Sequence, residues 1–334
     1  MADDFRDSDI PPEILGQTVG GSALPGGVMM RTKERVGLAV RSEESGEILT
    51  ESFEVHPPGG KWATWPLMRG VLGLRNAAIT AQKSMSMSES LRWGEEDDEE
   101  AFEPPKYLII LGALLGAGIQ IAAFRVGPVV IAKEIGLTGA AFTVADAALR
   151  LMLLLGTLWF VSLLSPFRRI LAYHGAEHKS IAAYEGAGSL RGSIAAGFTR
   201  FHPRCGTSFL VVSAVVSIAV YGAVLALTGW FTYIALIGTR LLCAPIVTGI
   251  AFEFQRQAAK RADGPLRFLS WPGLAAQRLT TAEPRPEELD VSAAALRVAL
   301  GVEEPTGSIA TVRAAERDGA DDSPALVNPQ TAES

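Results

Sequence analysis

Apolar residues run almost unbroken through residues 107–252 and give way to mixed, charged sequence on both sides. Inside that stretch, four segments lack the polar face that a surface helix of a globular protein carries. Residues 107–124 contain no charge, and residues 151–164 reach spanning length when extended back to Val144. Residues 209–227 are uncharged, and residues 230–252 are apolar up to the single charge of Arg240. A membrane-crossing helix takes about 20 apolar residues. Four such segments predict a mainly α, polytopic helical membrane protein with four spans.

The flanks follow other periods. Residues 14–60 predict a small β unit. Runs at 36–40 and 48–55 alternate or are β-branched, Ser45-Gly46 separates them, and Gly20-Gly21 and Gly26-Gly27 mark turns. Residues 61–106 predict an amphipathic helix over 62–85 and then an acidic loop. The helix carries a stripe of Leu67, Met68, Val71, Leu72, Leu74, Ala78 and Ile79, so it either lies on a membrane surface or packs on the β unit. Residues 165–205 form the loop between spans two and three. Residues 255–301 make a C-terminal segment, with a turn-rich stretch at 269–274 and a short amphipathic helix at 287–300. The polar ends, residues 1–13 and 302–334, are expected to be disordered.

Charge sets the orientation. The loop between spans two and three carries Arg168, Arg169, Lys179, Arg191, Arg200 and Arg204, and the segment after span four carries Arg256, Lys260, Arg261 and Arg267. The turn at Thr228-Gly229 has no charge, and only Arg125 and Lys133 edge the loop between spans one and two. By the positive-inside rule the basic segments and both termini face the cytoplasm of a multi-pass plasma-membrane protein. The first residues are acidic and lack the apolar core of a cleaved signal peptide. Acids outnumber bases, 36 to 30, which gives no support to a nucleic-acid partner. Lipid is the expected partner, with a second copy or another membrane protein as the remaining class.

The scarce metal-binding residues cluster. The chain has four histidines and two cysteines. Two histidines stand in Tyr173-His174-Gly175-Ala176-Glu177-His178-Lys179, directly after span two, and a third stands in His202-Pro203-Arg204-Cys205, directly before span three. Helical positions four apart share a face, so His174 and His178 can hold one ion. His202, Cys205 and Glu185, two turns beyond His178, are further candidate ligands for zinc or another divalent transition metal. The H-x-x-E-H spacing is that of metallohydrolases in which the Glu activates water, which makes Glu177 the candidate base and Arg204 a candidate oxyanion stabiliser. Three protein ligands would leave a catalytic position open, whereas four would close a structural site. The same residues also suit a hydrogen-bonded patch without an ion, or a Cys205 nucleophile with His202 as its base. Cys243 reads as a small buried residue, and the glycine turn at 26–31 lacks the P-loop Lys and Ser/Thr.

Arg240, Asp146 and Arg150 lie within the apolar region. Buried charges there need partners, and Asp146 is the natural countercharge for Arg150, four residues on, and for Arg240. They form either a structural ion pair or a polar path, and Pro245 should kink span four.

Taken together, the runs YHGAEHKSIAAYE, HPRCGTSFL, RLLCAPIVTGIAFE and WPGLAAQRLTT resemble the YqhQ-like family of bacterial integral membrane proteins over roughly residues 17–300. The family pattern matches at His174, Glu177, His178, Glu185, His202, Arg204, Cys205, Arg240, Pro245 and Glu253, and Asp146 and Arg150 fall where it carries an acid and a base. The resemblance implies a metal-dependent membrane protein. It departs at Gly26, which stands where the family carries a carboxylate before Gly-Val-Met. Three readings follow: a metal-dependent hydrolase at the membrane interface, a non-catalytic scaffold or assembly factor with a structural cluster, and a transporter component built on Arg240, Asp146 and Pro245.

Overall fold

The computed structural model describes residues 10–56, 64–93, 105–260 and 270–306. The acidic run at 95–100 and most of the two ends expected to be disordered lie outside the described residues. The chain is mainly helical with one small sheet. Strands β1 (Gly20–Leu24), β2 (Gly27–Arg31), β3 (Arg35–Arg41) and β4 (Ile48–Glu54) form an antiparallel meander in sequence order. Helices α1 (Met68–Trp93), α2 (Lys106–Ile121), α3 (Gly127–Glu134), α4 (Gly139–Leu163), α5 (Ser165–Ala187) and α6 (Gly192–Ala195) follow. Then come α7 (Gly206–Thr228), α8 (Tyr233–Leu242), α9 (Ala244–Lys260), α10 (Ser270–Thr280) and α11 (Pro286–Ala299).

Successive strand residues point to opposite faces. Val28, Met30 and Ala39 enter one core with Tyr173, Ile181 and Tyr184 of α5 and Val291, Ala295 and Leu296 of α11. Leu24, Met29, Val36 and Leu38 form a second core on the other face, with Met87 of α1. The expected turn at Gly20-Gly21 is strand instead: Gly20 pairs with Arg31 and Gly21 with Met30. Residues 10–13, expected to be disordered, are described, and Ile10 is buried in the first core. At the other end Thr306 is tied to Thr50 by reciprocal hydrogen bonds.

Among the described residues, three helices are long and apolar enough to cross a membrane: Tyr107–Glu134, Gly139–Leu163 and Gly206–Thr228. The pair Tyr233–Leu242 and Ala244–Gln257, bent by 45° beside Pro245, makes a fourth if it counts as one span. The first is longer than expected. Pro128 cannot donate to the Phe124 carbonyl, and the helix widens into a π turn over Ala122–Val126 rather than ending. Arg125 and Lys133 are therefore helical, not loop residues. Arg125 donates to the Tyr221 hydroxyl (3.2 Å) and Lys133 to the Phe231 carbonyl (2.7 Å).

Three further expectations change. The segment at 165–205 is no loop: Ser165-Pro166 ends α4 and opens α5, which runs to Ala187. The stretch at 269–274 is not turn-rich where it is described; it enters α10, whose Gly273 lies against Ser208 of α7. The helix expected at 287–300 is buried along nearly all of α11, because its many alanines let the sheet, α5 and α6 approach from several sides. Its first turn holds Glu287 and Glu288, and the Glu288 carboxylate accepts the Arg285 N–H at 2.7 Å.

Helix α1 begins and ends later than the sequence stripe suggested. It buries Gly70, Thr80, Ser84, Ser88 and Leu91, while Leu67, Met68, Leu74 and Ile79 stay exposed. Its small residues allow close packing: Ser84 reaches Met29, Ser88 donates to the Pro25 carbonyl, and Gly70 lies against Phe252 of α9.

Candidate metal centre

The HxxEH segment lies at the middle of α5, where the helix passes under the sheet. His178 and Glu177 are buried and His174 is partly exposed. Cys205 caps the N-terminus of α7 and is buried. Thr207 donates to Cys205 Sγ at 3.3 Å.

His174, His178 and Cys205 form a group whose ligand atoms all lie within 4.8 Å of one another. His174 Nδ1 meets the Thr280 carbonyl at 2.7 Å, and His178 Nδ1 meets the Arg200 carbonyl at 2.5 Å. A carbonyl only accepts, so each Nδ1 donates, and the nitrogen each neutral ring would offer an ion is Nε2. Metal-binding imidazoles are held in the same way, with the ring nitrogen away from the ion donating to a carbonyl or carboxylate that fixes the ring. His174 Nε2 lies 3.4 Å from Cys205 Sγ, close to the roughly 3.3–3.6 Å between donors around a tetrahedral zinc. The donor set fits a divalent transition metal, and the three residues could hold one ion together.

Gly175 explains how Thr280 reaches His174. A Cβ there would come within 2.1 Å of the Ala282 carbonyl. Without it, the stretch after α10 runs directly along α5, with the Ala282 N–H on the Leu171 carbonyl (2.8 Å).

Two expected ligands stand elsewhere. Glu185 is seven residues beyond His178, about 10 Å along the helix. It is ion-paired with Arg204 and lies 3.8 Å from His202 Nε2. Burial acts to raise the Glu185 pKa, but the hydrogen bonds and charges of His202 and Arg204 outweigh it and hold the carboxyl below its ordinary range. His202 is close, its ring centroid 5.6 Å from that of His178, yet its backbone is clamped on both sides by Gln277, at 2.8 and 2.7 Å. The expected four- or five-residue set is therefore three residues, with His202, Glu185 and Arg204 as a polar chain beside them.

Glu177 lies against β1: a Cβ on Gly21 would fall 2.9 Å from its carboxyl carbon. Among the described residues its Oε2 has no hydrogen-bond partner. Burial raises its pKa to about 7, against the opposing charge of His174.

The apolar-region charges meet as well. Asp146 accepts from Arg150 at 2.9 Å and from Arg240 at 2.7 Å, and Arg240 also donates to the Leu236 carbonyl at 2.8 Å. The rings of Phe142 and Tyr221 flank the Arg240 guanidinium. Sequence reasoning overlooked Gln277, which clamps His202, and the pairs Lys179–Glu283 and Arg69–Glu253. Gln277 stands between Ala276 and Arg278, where no pattern in the sequence marks it.

The comparisons bear on this geometry. A family model described as a protein of unknown function, DUF1385, matches residues 65–302. The chain belongs to this family. The DUF1385 match takes in every residue of the histidine–cysteine cluster and the Asp146–Arg240 pair, while the four strands lie before it. The chain is similar to an uncharacterized protein, YqhQ, of Bacillus subtilis (strain 168), with 29% identity over 288 residues, 82% of this chain and 89% of that protein. No solved structure matches it.

Proposed function

We propose that this protein is a multi-pass plasma-membrane protein with a metal centre on its cytoplasmic side, and that it acts as a metal-dependent hydrolase at the membrane interface. The observation that carries the reading is a three-residue ligand set beside a buried carboxylate with an unpartnered oxygen. Three protein ligands leave a coordination position for water or substrate, as catalytic sites do. An ion held there would supply Lewis acidity to a substrate oxygen and lower the pKa of a water molecule. Glu177, with a pKa near neutrality, would take the proton from that water and return it to the leaving group. Arg204, held by Glu185 next to Cys205 in sequence, would orient an anionic substrate group.

The orientation is supported by the positive loops and by the core itself. The strands before span one, α5 between spans two and three, and α11 after span four share one core. Those segments must lie on one side, so the intervening helices leave and return in pairs.

The test is complementation of a deletion strain. Glu177→Gln should retain metal and protein abundance while losing function. Full complementation by Glu177→Gln would sink the hydrolase reading. A second reading, a structural clamp, is favoured by the burial of His178 and Cys205 and by the way the cluster ties α5 to the first turn of α7. In that case His174→Ala would lower protein abundance, and Glu177→Gln would be silent.

A further inference from the structure

A second site opens on the opposite face of β1 from Glu177. An open cleft of about 890 Å³ lies between the sheet edge and α1, within the size range of ligand-binding pockets. Its walls include Thr18, Gly20, Arg31, Lys33, Arg204 and Arg256, and among the described residues no carboxylate lines it. The strand register puts Gly20 opposite Arg31, so both face α1 and the cleft. No side chain crowds Gly20, where a Cβ would meet nothing within 4 Å.

The four cations are not equally engaged. Arg204 pairs with Glu185, and Arg256 lies 3.9 Å from Glu253, which Arg69 holds. Arg31 and Lys33 have no carboxylate partner among the described residues. Arg31 is also half-buried, and burial alone lowers its pKa. A desolvated guanidinium without a counterion is costly to keep unless a ligand supplies the charge. The guanidinium fork suits the paired oxygens of a phosphate, and Lys33 adds a point charge. Met29 and Ala77 complete an apolar wall. Arg204 and Arg256 stand at the polar ends of α7 and α9, so the cleft borders the apolar helices.

We propose that this cleft binds the phosphate group of an anionic ligand, with Arg31 and Lys33 as its principal contacts. The inference stands on the cleft itself, whether or not the neighbouring metal centre is catalytic. Two sources share the chemistry: a phospholipid headgroup presented from the bilayer, and a soluble phosphoester.

Isothermal titration of the full chain in a non-ionic detergent at low salt distinguishes them. The probes are dihexanoyl phosphatidylglycerol below its micellar concentration and inorganic pyrophosphate. The proteins are wild type, Arg31→Gln/Lys33→Gln, Lys33→Gln alone, and Arg168→Gln, which changes an exposed arginine outside the cleft. Wild type should bind at least one probe, about tenfold more tightly than the double variant and measurably more tightly than Lys33→Gln, with Arg168→Gln unchanged. Binding of the lipid alone assigns the headgroup; binding of both assigns the phosphate itself. Should the double variant fail to fold, the exposed Lys33 carries the comparison. The proposal is overturned if neither probe binds folded wild type, or if the Lys33→Gln and double variants bind as wild type does. The hydrolase reading is read separately, from Glu177→Gln, so either can fail without the other.

Discussion

At the scale of single residues, the three ligands and their neighbour Glu177 differ in what their surroundings do to a proton. The two histidines each give one nitrogen to a backbone carbonyl and so have their tautomers fixed before any ion arrives. Glu177 receives no such help: it is buried, one oxygen is unpartnered, and its pKa is raised to about 7. That shift is a statement about stability in the chelated protein. The folded pKa lies above the unfolded value of 4.5, so between the two the native state holds more protons than the unfolded chain. Stability therefore falls as pH rises from 4.5 through 7, by up to about 3 kcal/mol. Thermal melts of the chelated protein between pH 4 and 8 should show this decline, and Glu177→Gln should flatten it. An identical pH profile in both proteins would contradict the buried, uncompensated carboxylate. Asp146, unlike Glu177, has charged partners, with two arginines on one carboxylate. This pairing was legible in the sequence because charges in an apolar run must find each other.

At the scale of elements, the centre depends on how closely α5 meets the segment after α10. Gly175 sets that distance. In Gly175→Ala the new methyl group would displace Ala282 and with it the Thr280 carbonyl, while every ligand stays in place. Loss of such an outer partner typically weakens metal binding about 10–100-fold. A competition titration with a chromophoric chelator should show that loss, and an unchanged affinity would mean that the Thr280 contact does not matter. Elements also show where sequence reading works. The apolar runs and the HxxEH spacing are local, and they appear as helices with His174 and His178 on one face. The burial of α11 and the small-residue face of α1 are not local. They depend on which surfaces meet in space: α1 packs through its small residues and leaves Leu67, Met68, Leu74 and Ile79 of the apolar stripe exposed. Glu185, two turns of helix beyond His178, pairs with Arg204 and lies near His202 Nε2, so these three stand as a polar chain outside the His174–His178–Cys205 group.

At the scale of the whole molecule, one core gathers segments from before, between and after the apolar helices. On the proposed topology the bent pair α8–α9 is the return path of α7. It also brings the two motifs, 24 to 31 residues apart in sequence, to a single centre. Those motifs are visible in the sequence, but their meeting is not, because it is made where the chain returns to set Cys205, at the N-terminus of α7, beside His174 of α5. The central claim is that His174, His178 and Cys205 bind one ion together. Elemental analysis of the detergent-purified protein tests it most directly, beside His174→Ala/His178→Ala and Cys205→Ser. The account predicts about one zinc or similar ion per chain in wild type, with loss in the double variant and marked weakening in Cys205→Ser. A well-folded wild-type protein without metal, or a double variant that keeps its ion, would contradict it.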